Sequence, residues 1–313
     1  MTNKILNKKL ITFKIPATSA NIGSGFDSVG LALNLYNEIH IYENYNSKKI
    51  EFEIFGEGEN EISKKDNMIY SAMKLVFKKL KSKPNKGYII KCINRIPLSR
   101  GIGSSSAAII GGLLCANYML GDKLSIEKDI LNMAVQIEGH PDNVAPAILG
   151  GIISGVVKKE EDFKYIKIKP PKKLKAIVSI PDFYLSTEIA RNILPKEITR
   201  KDAIFNISRA ALLTSALFSN RLDLLEIATE DKIHQDYRAK FIPNLNQLFK
   251  ETKKAGAYSV TISGAGSSIL ALAKDDKNII EKVSKAMHSS FKKKNINSVI
   301  KVLNIPTKGI IIN

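Results

Sequence analysis

At 313 residues, 44% hydrophobic and 25% charged, the chain has the composition of a globular protein with one large or two medium domains. No apolar run approaches the roughly 20 residues of a membrane span, and the basic N-terminus lacks the unbroken apolar core and cleavage site of a secretory signal, so a cytoplasmic protein is expected. The formal charge of +18 invites a nucleic-acid reading, but only seven of the 48 basic residues are Arg and the lysines are scattered, so no nucleic-acid partner is expected; such a surface would still attract a polyanionic nucleotide.

Alternation of apolar and polar residues predicts strands at 11–15, 39–43 and 49–55, with a polar, Gly-containing loop at 16–27 between the first two. Met68, Ala72, Leu75, Val76 and Leu80 predict a helix over 66–81, and 88–93 reads as a strand. Cys92 and Cys115 sit in apolar segments with no partner at metal-ligand spacing, so buried free thiols are expected. The stretch PLSRGIGSSSAA then leads from strand to helix. A helix N-terminus offers unpaired N–H groups and glycines admit close backbone approach, which suits phosphate; a tight turn capped by Ser104 is the competing reading. The Walker and dinucleotide patterns both fail here, the first for want of Gly-Lys-Ser/Thr, the second because Ser106 stands where a third Gly belongs.

A second helix is predicted over 125–137, ended by Gly139 and Pro141. The following EGHPDNVAP gathers two carboxylates, an imidazole and an amide; it reads either as a Gly cap and Pro turn with solvated charges or as one side of a magnesium–phosphate site. Zinc is not expected at His140, which has no Cys or second His at metal spacing. Apolar density drops between 157 and 175, placing a domain boundary there and dividing the chain into 1–165 and 166–313. The second half predicts a strand at 176–181, helices at 187–194, 202–218, 222–229 and 244–255, a hairpin tipped by SGAGS, a helix at 275–294 and a strand at 298–303, an α+β arrangement.

Taken in order, PATSANIGSGFD, PLSRGIGSSSAA and TISGAGSS resemble the three signatures of the GHMP small-molecule kinases, over nearly the whole chain. Within that superfamily SANIGSGFDSVGLALNLYN, EGHPDNVAPAILGG, STEIARNILP and DYRAKFIPN are most similar to the homoserine kinases. The resemblance implies two domains, the first like the second domain of ribosomal protein S5 and the second ferredoxin-like. It implies ATP-dependent phosphorylation of the L-homoserine hydroxyl, on the route to threonine, with Mg²⁺ as cofactor, and it leaves a homodimer open.

By the same resemblance Asn21, Asp27, His140, Asn143, Arg191 and Arg238 line the amino-acid pocket. Pro97, Arg100, Gly101, Ile102, Gly103, Ser104, Ser105 and Ser106 form the ATP loop, Asn67 faces the adenine, and Gly264 and Gly266 support the loop. Ser105 and Glu138 would hold Mg²⁺, and Asn143 stands where several relatives carry a catalytic Asp. A zwitterion needs an anion for its ammonium and donor forks for its carboxylate, which Asp27 and the two arginines supply. A kinase of another small alcohol, such as mevalonate or a sugar, and an RNA-binding protein with an S5-like domain are the alternatives.

Overall fold

The computed structural model describes residues 8–158 and 162–313. Its first sheet is founded on two long antiparallel strands, β1 (Lys9–Ala20) and β2 (Val29–Asn44). The expected strand at 11–15 therefore continues through 16–20, part of the expected loop. Thr18 and Ser19 there are fully buried, and their hydroxyls bond Asn143 and Ser263, so polar residues serve as strand interior. β3 (Ile50–Gly56) and β4 (Gly87–Asn94) pair in parallel, which demands a crossover; helix α1 (Met68–Lys79) supplies it.

Helix α2 (Ser104–Met119) packs on α1 and β1 and is buried almost all round. A π-helical turn (Ile126–Ile130) enters α3 (Leu131–Glu138), and Gly139 stops α3 in the left-handed region at φ 85°. The expected Pro turn after it is instead a further helix, α4 (Pro141–Leu149), every residue of which is buried. Proline is tolerated at the first helical position because the N–H it lacks would be unbonded anyway.

The hairpin β5 (Ile152–Val157) and β6 (Phe163–Ile168) extends the first sheet from β2. The chain then crosses to β7 (Leu174–Pro181), which opens the second sheet. Helices α5 (Thr187–Asn192), α6 (Arg200–Phe218), α7 (Leu225–Ala228), α8 (Gln235–Arg238) and α9 (Leu245–Lys254) follow. After them come β8 (Ala257–Ile262), β9 (Ile269–Lys274), α10 (Lys277–Lys292) and β10 (Ser298–Leu303). The antiparallel order β10-β7-β9-β8 is ferredoxin-like. A last strand, β11 (Ile311–Ile312), unanticipated in the sequence, returns to pair with β1.

The central strands β7 and β9 of the second sheet are buried on both faces, whereas the edge strand β10 is partly exposed. Along β7, Ala176, Val178 and Ile180 join a core shared with the first sheet, while Ile177 faces the core beneath α9 and α10. Strands covered on both sides favour apolar residues at successive positions, which is why Ala176–Val178 of β7 and Ile269–Ala273 of β9 read as apolar runs. The β8–β9 hairpin tip is hydrogen-bonded to the loop that precedes α2.

Candidate functional site

The strand-to-helix loop makes its turn with Ser99, Gly101 and Gly103 at φ 53°, 71° and 77°. Gly103, not Ser104, caps α2, and it offers no side-chain acceptor; Ser104 is the first helical residue and donates weakly to Ile96 O at 3.4 Å. The capped-turn reading therefore fails in its detail. With no acidic residue in the first turn, the opening amides of this 16-residue helix and its partial positive charge are left to an external anion. The β8–β9 tip sits beneath the loop: Ser263 Oγ donates to Gly101 O at 2.7 Å and Ser268 N to Arg100 O at 3.1 Å. Arg100 stacks its guanidinium 3.9 Å from the ring centre of Tyr184, and its buried Nη1 has no hydrogen-bond partner. An unpaired buried donor on a Gly-Ser loop suits a phosphate oxygen.

Glu138 at the end of α3 accepts from Ser105 Oγ at 3.3 Å and Ser106 Oγ at 3.0 Å. Burial raises its pKa above the ordinary carboxylate value, against the lowering influence of His140 and the serine hydrogen bonds. Among the described residues no Lys or Arg forms an ion pair with it. A carboxylate desolvated without a Lys or Arg partner, flanked by hydroxyls, is an all-oxygen donor set of the kind a hard cation such as Mg²⁺ takes.

Also lining the cavity, Asn21 holds the turn after β1. Its Oδ1 accepts from Asp27 N at 3.0 Å and its Nδ2 donates to Gly264 O at 2.9 Å. Asp27 receives both guanidinium nitrogens of Arg191, at 2.8 and 3.1 Å. Gly264 O also accepts from Nη1 of Arg238, which is 1% exposed, bonds Ala190 O through Nε at 3.0 Å, and has its pKa pushed down to about 10 by burial and by Arg191. His234 Nδ1 lies 3.1 Å from Arg238 Nη1 and its Nε2 lies 2.9 Å from Gly23 O, the pattern of a neutral imidazole donating through Nε2.

His140, capping α4, is hydrogen-bonded to Asp142; burial alone would lower its pKa, but the bond to Asp142 and the charges of Asp142 and Asp27 raise it. Asp27, His140 and Asp142 bring their ligand atoms within 4.8 Å of one another, and buried Asp142 Oδ2 has no partner. The carboxylate oxygens gathered here, one pair engaged by Arg191, could take an ammonium or another cation.

One cavity of about 380 Å³ joins these groups. Asn21, Asp27, Asn67, Arg100, Gly101, Gly103, Ser104, Ser105, Glu138, His140, Asn143, Arg191, Arg238 and Gly264 line it. Ile102 and Ser106 are buried, a Cβ at Gly266 would meet Ile242 and Leu185 at 3.2 Å, and Ile102, Ser106, Gly266 and Pro97 are not among the lining residues. Asn67 spends both ends of its amide on structure, accepting from Tyr70 N and donating to Ser63 O. Thr18, Tyr184, Thr187 and His234 were not singled out from the sequence, and Asp142, one of the two carboxylates of EGHPDNVAP, was given no role of its own. Only His234 carried a local signal, its i,i+4 spacing to Arg238.

The family models for the GHMP kinase N-terminal domain and C-terminal domain match residues 67–151 and 213–292. Over 285 residues the chain is 44% identical to a homoserine kinase of Caldicellulosiruptor saccharolyticus, covering 91% of each. It is 45% identical to one of Clostridium acetobutylicum, over 90% of this chain and 93% of that one. The crystal structure of homoserine kinase from Cytophaga hutchinsonii superposes with a TM-score of 0.86 at 28% identity, covering both chains completely. Likeness of this extent, running through both domains and across the cavity between their motifs, places the chain in the homoserine kinase family of the GHMP kinases.

Proposed function

We propose that this chain transfers the terminal phosphoryl group of ATP to the side-chain hydroxyl of L-homoserine, giving O-phospho-L-homoserine, ADP and a proton, as a cytoplasmic step toward threonine. The observation that carries the reading is that Asp27, Arg191 and Arg238 share one cavity with the Gly101–Gly103 turn. The first group suits a zwitterion and the turn a polyphosphate. A substrate without an ammonium leaves the corner of Asp27, His140 and Asp142 unexplained, and one without a carboxylate leaves the arginines so.

The amides at the start of α2 and the unpaired Nη1 of Arg100 receive the phosphates. Ser105, exposed to the cavity, and Glu138 would hold Mg²⁺, which when bound neutralises phosphate charge; Ser106 is buried and serves to fix Glu138. Asp27 takes the ammonium while Arg191 and Arg238 take the carboxylate, leaving the hydroxyl end directed toward the loop. Asn143 cannot act as a strong base, and phosphoryl transfer through a loose transition state asks chiefly for alignment and charge stabilisation. We place the division between the ATP-loop domain and the second domain at 169–173, just past 165/166, because β6 completes a hairpin with β5 in the first sheet.

A coupled ADP-release assay comparing L-homoserine with L-threonine, L-serine and mevalonate tests this. Turnover dependent on homoserine is expected, and its absence overturns the reading.

A further inference from the structure

Thr18 touches both halves of the site. It is fully buried in β1, its N–H donates to Ile102 O of the phosphate loop at 3.1 Å, and its hydroxyl donates to Asn143 Oδ1 at 2.8 Å. The hydroxyl also sits so close to Gly103 that a Cβ there would fall 2.1 Å from it. A primary amide has one carbonyl and two N–H donors, and its orientation is set by whichever end finds a partner. Here the carbonyl is taken, so Asn143 presents its Nδ2 hydrogens to the cavity it lines.

The geometry points to Thr18 as a positioning residue for phosphoryl transfer: it holds the Asn143 amide with Nδ2 toward the transferring group and ties that donor to the phosphate loop. This inference rests on the proposed kinase activity. Asn143 then stabilises negative charge on a phosphoryl oxygen by donation and does not accept the hydroxyl proton. A carboxylate at 143 would take the same bond from Thr18 but turn its second oxygen toward the phosphates, where it repels them. A donor held by its own carbonyl needs no reorganisation when the charge develops.

Thr18→Val keeps the shape and the backbone N–H but removes the hydroxyl, whereas Thr18→Ser keeps it. The valine variant is expected to lose roughly ten- to a hundredfold in kcat, with both KM values within about twofold of wild type. The serine variant should recover most of that loss. In an Asn143→Ala background the valine change should lower kcat no further, because the group it orients is gone. Wild-type kcat in folded Thr18→Val, or equal losses in the valine and serine variants, would overturn the assignment. Should the valine variant not fold, Asn143→Asp decides: reduced kcat at neutral and alkaline pH alike supports a donor at 143, and unchanged or raised kcat overturns it. Absence of homoserine turnover in the wild-type protein would instead sink the kinase reading itself.

Discussion

Arg191 grips Asp27 with both ends of its guanidinium, Nη2 to Oδ1 at 2.8 Å and Nη1 to Oδ2 at 3.1 Å, joining α5 of the second domain to the β1–β2 turn of the first. These are the two residues assigned to opposite ends of one zwitterion, and without substrate they neutralise each other. In the proposed binding mode, homoserine entering between them would exchange one ion pair for two, so that neither charge would be left bare in either state.

Replacing the fork with a point charge tests this arrangement. Arg191→Lys retains the charge but loses the bidentate geometry, and charge-assisted hydrogen bonds contribute about 1.5–3 kcal/mol. We expect kcat/KM for homoserine to fall roughly ten- to a hundredfold while KM for ATP stays within about twofold. Steady-state kinetics with each substrate varied would check it, and an unchanged homoserine KM would count against the pocket assignment.

Glu138 supplies a pH dependence. Its carboxyl is buried and holds its proton to higher pH than an ordinary carboxylate, so a proton competes with a metal ion there earlier as the solution is acidified. The Mg²⁺ concentration for half-maximal rate should therefore rise as pH falls through the range above the ordinary carboxylate pKa. Glu138→Gln should raise the Mg²⁺ requirement about tenfold or more and remove this pH dependence. An unaltered Mg²⁺ titration in the glutamine variant would rule Glu138 out as a ligand.

His234 supports Arg238 from below. Burial lowers its pKa first and the Arg238 charge adds to that, with the Asp231 charge opposing, so the imidazole is neutral and accepts from Arg238. The unfolded chain therefore binds the proton more readily than the folded one, and this group's contribution to stability, present above the unfolded value of about 6.5, is lost as pH falls below it toward and through the lower folded value. His234→Phe preserves the stack on Phe26, whose ring centre lies 5.0 Å away, but leaves a buried guanidinium N–H without its acceptor. It should raise homoserine KM and cost about 1–3 kcal/mol of stability at neutral pH. The wild-type-minus-variant difference in Tm should narrow as the pH is lowered; a constant difference would contradict the neutral assignment.

What the sequence revealed and hid divides along burial. Apolar runs such as those of β7 and β9 and the helical spacing in α1 announce themselves because each residue's environment follows from its neighbours. Buried polar residues do not, since their partners are remote: Thr18 meets Asn143 125 positions away and Ser19 meets Ser263 244 away. Helix α4 was hidden by Gly139, Pro141 and Pro146, all of which look like breakers. Pro146 does deprive Asp142 O of its helical donor, yet that carbonyl is accommodated against Gly30, where a Cβ would lie only 1.7 Å from it. The triad of GHMP signatures was legible as motif; that Arg191 and Asp27 pair, or that Asn67 spends its amide on capping α1, requires the folded coordinates.

The close approach of β1 to the phosphate loop gives a last test, one that separates backbone strain from steric conflict. Gly103 and Gly121 both adopt left-handed conformations, at φ 77° and 85°. An alanine at either pays about 1–2 kcal/mol for that backbone. At Gly121 the new methyl meets nothing within 4 Å, whereas at Gly103 it falls 2.1 Å from Thr18 Oγ1 and 3.2 Å from Thr18 N. Relief requires β1 and the loop to part, which strains the bond from Thr18 N to Ile102 O beside the amides proposed to receive the phosphates. Gly121→Ala should lower Tm slightly and leave nucleotide affinity unchanged. Gly103→Ala should lower Tm further and weaken ATP binding at least about tenfold, a loss near 1.4 kcal/mol, measured by calorimetric titration. Equal effects of the two substitutions would show that the loop tolerates the extra atom and that its distance from Thr18 does not govern nucleotide binding.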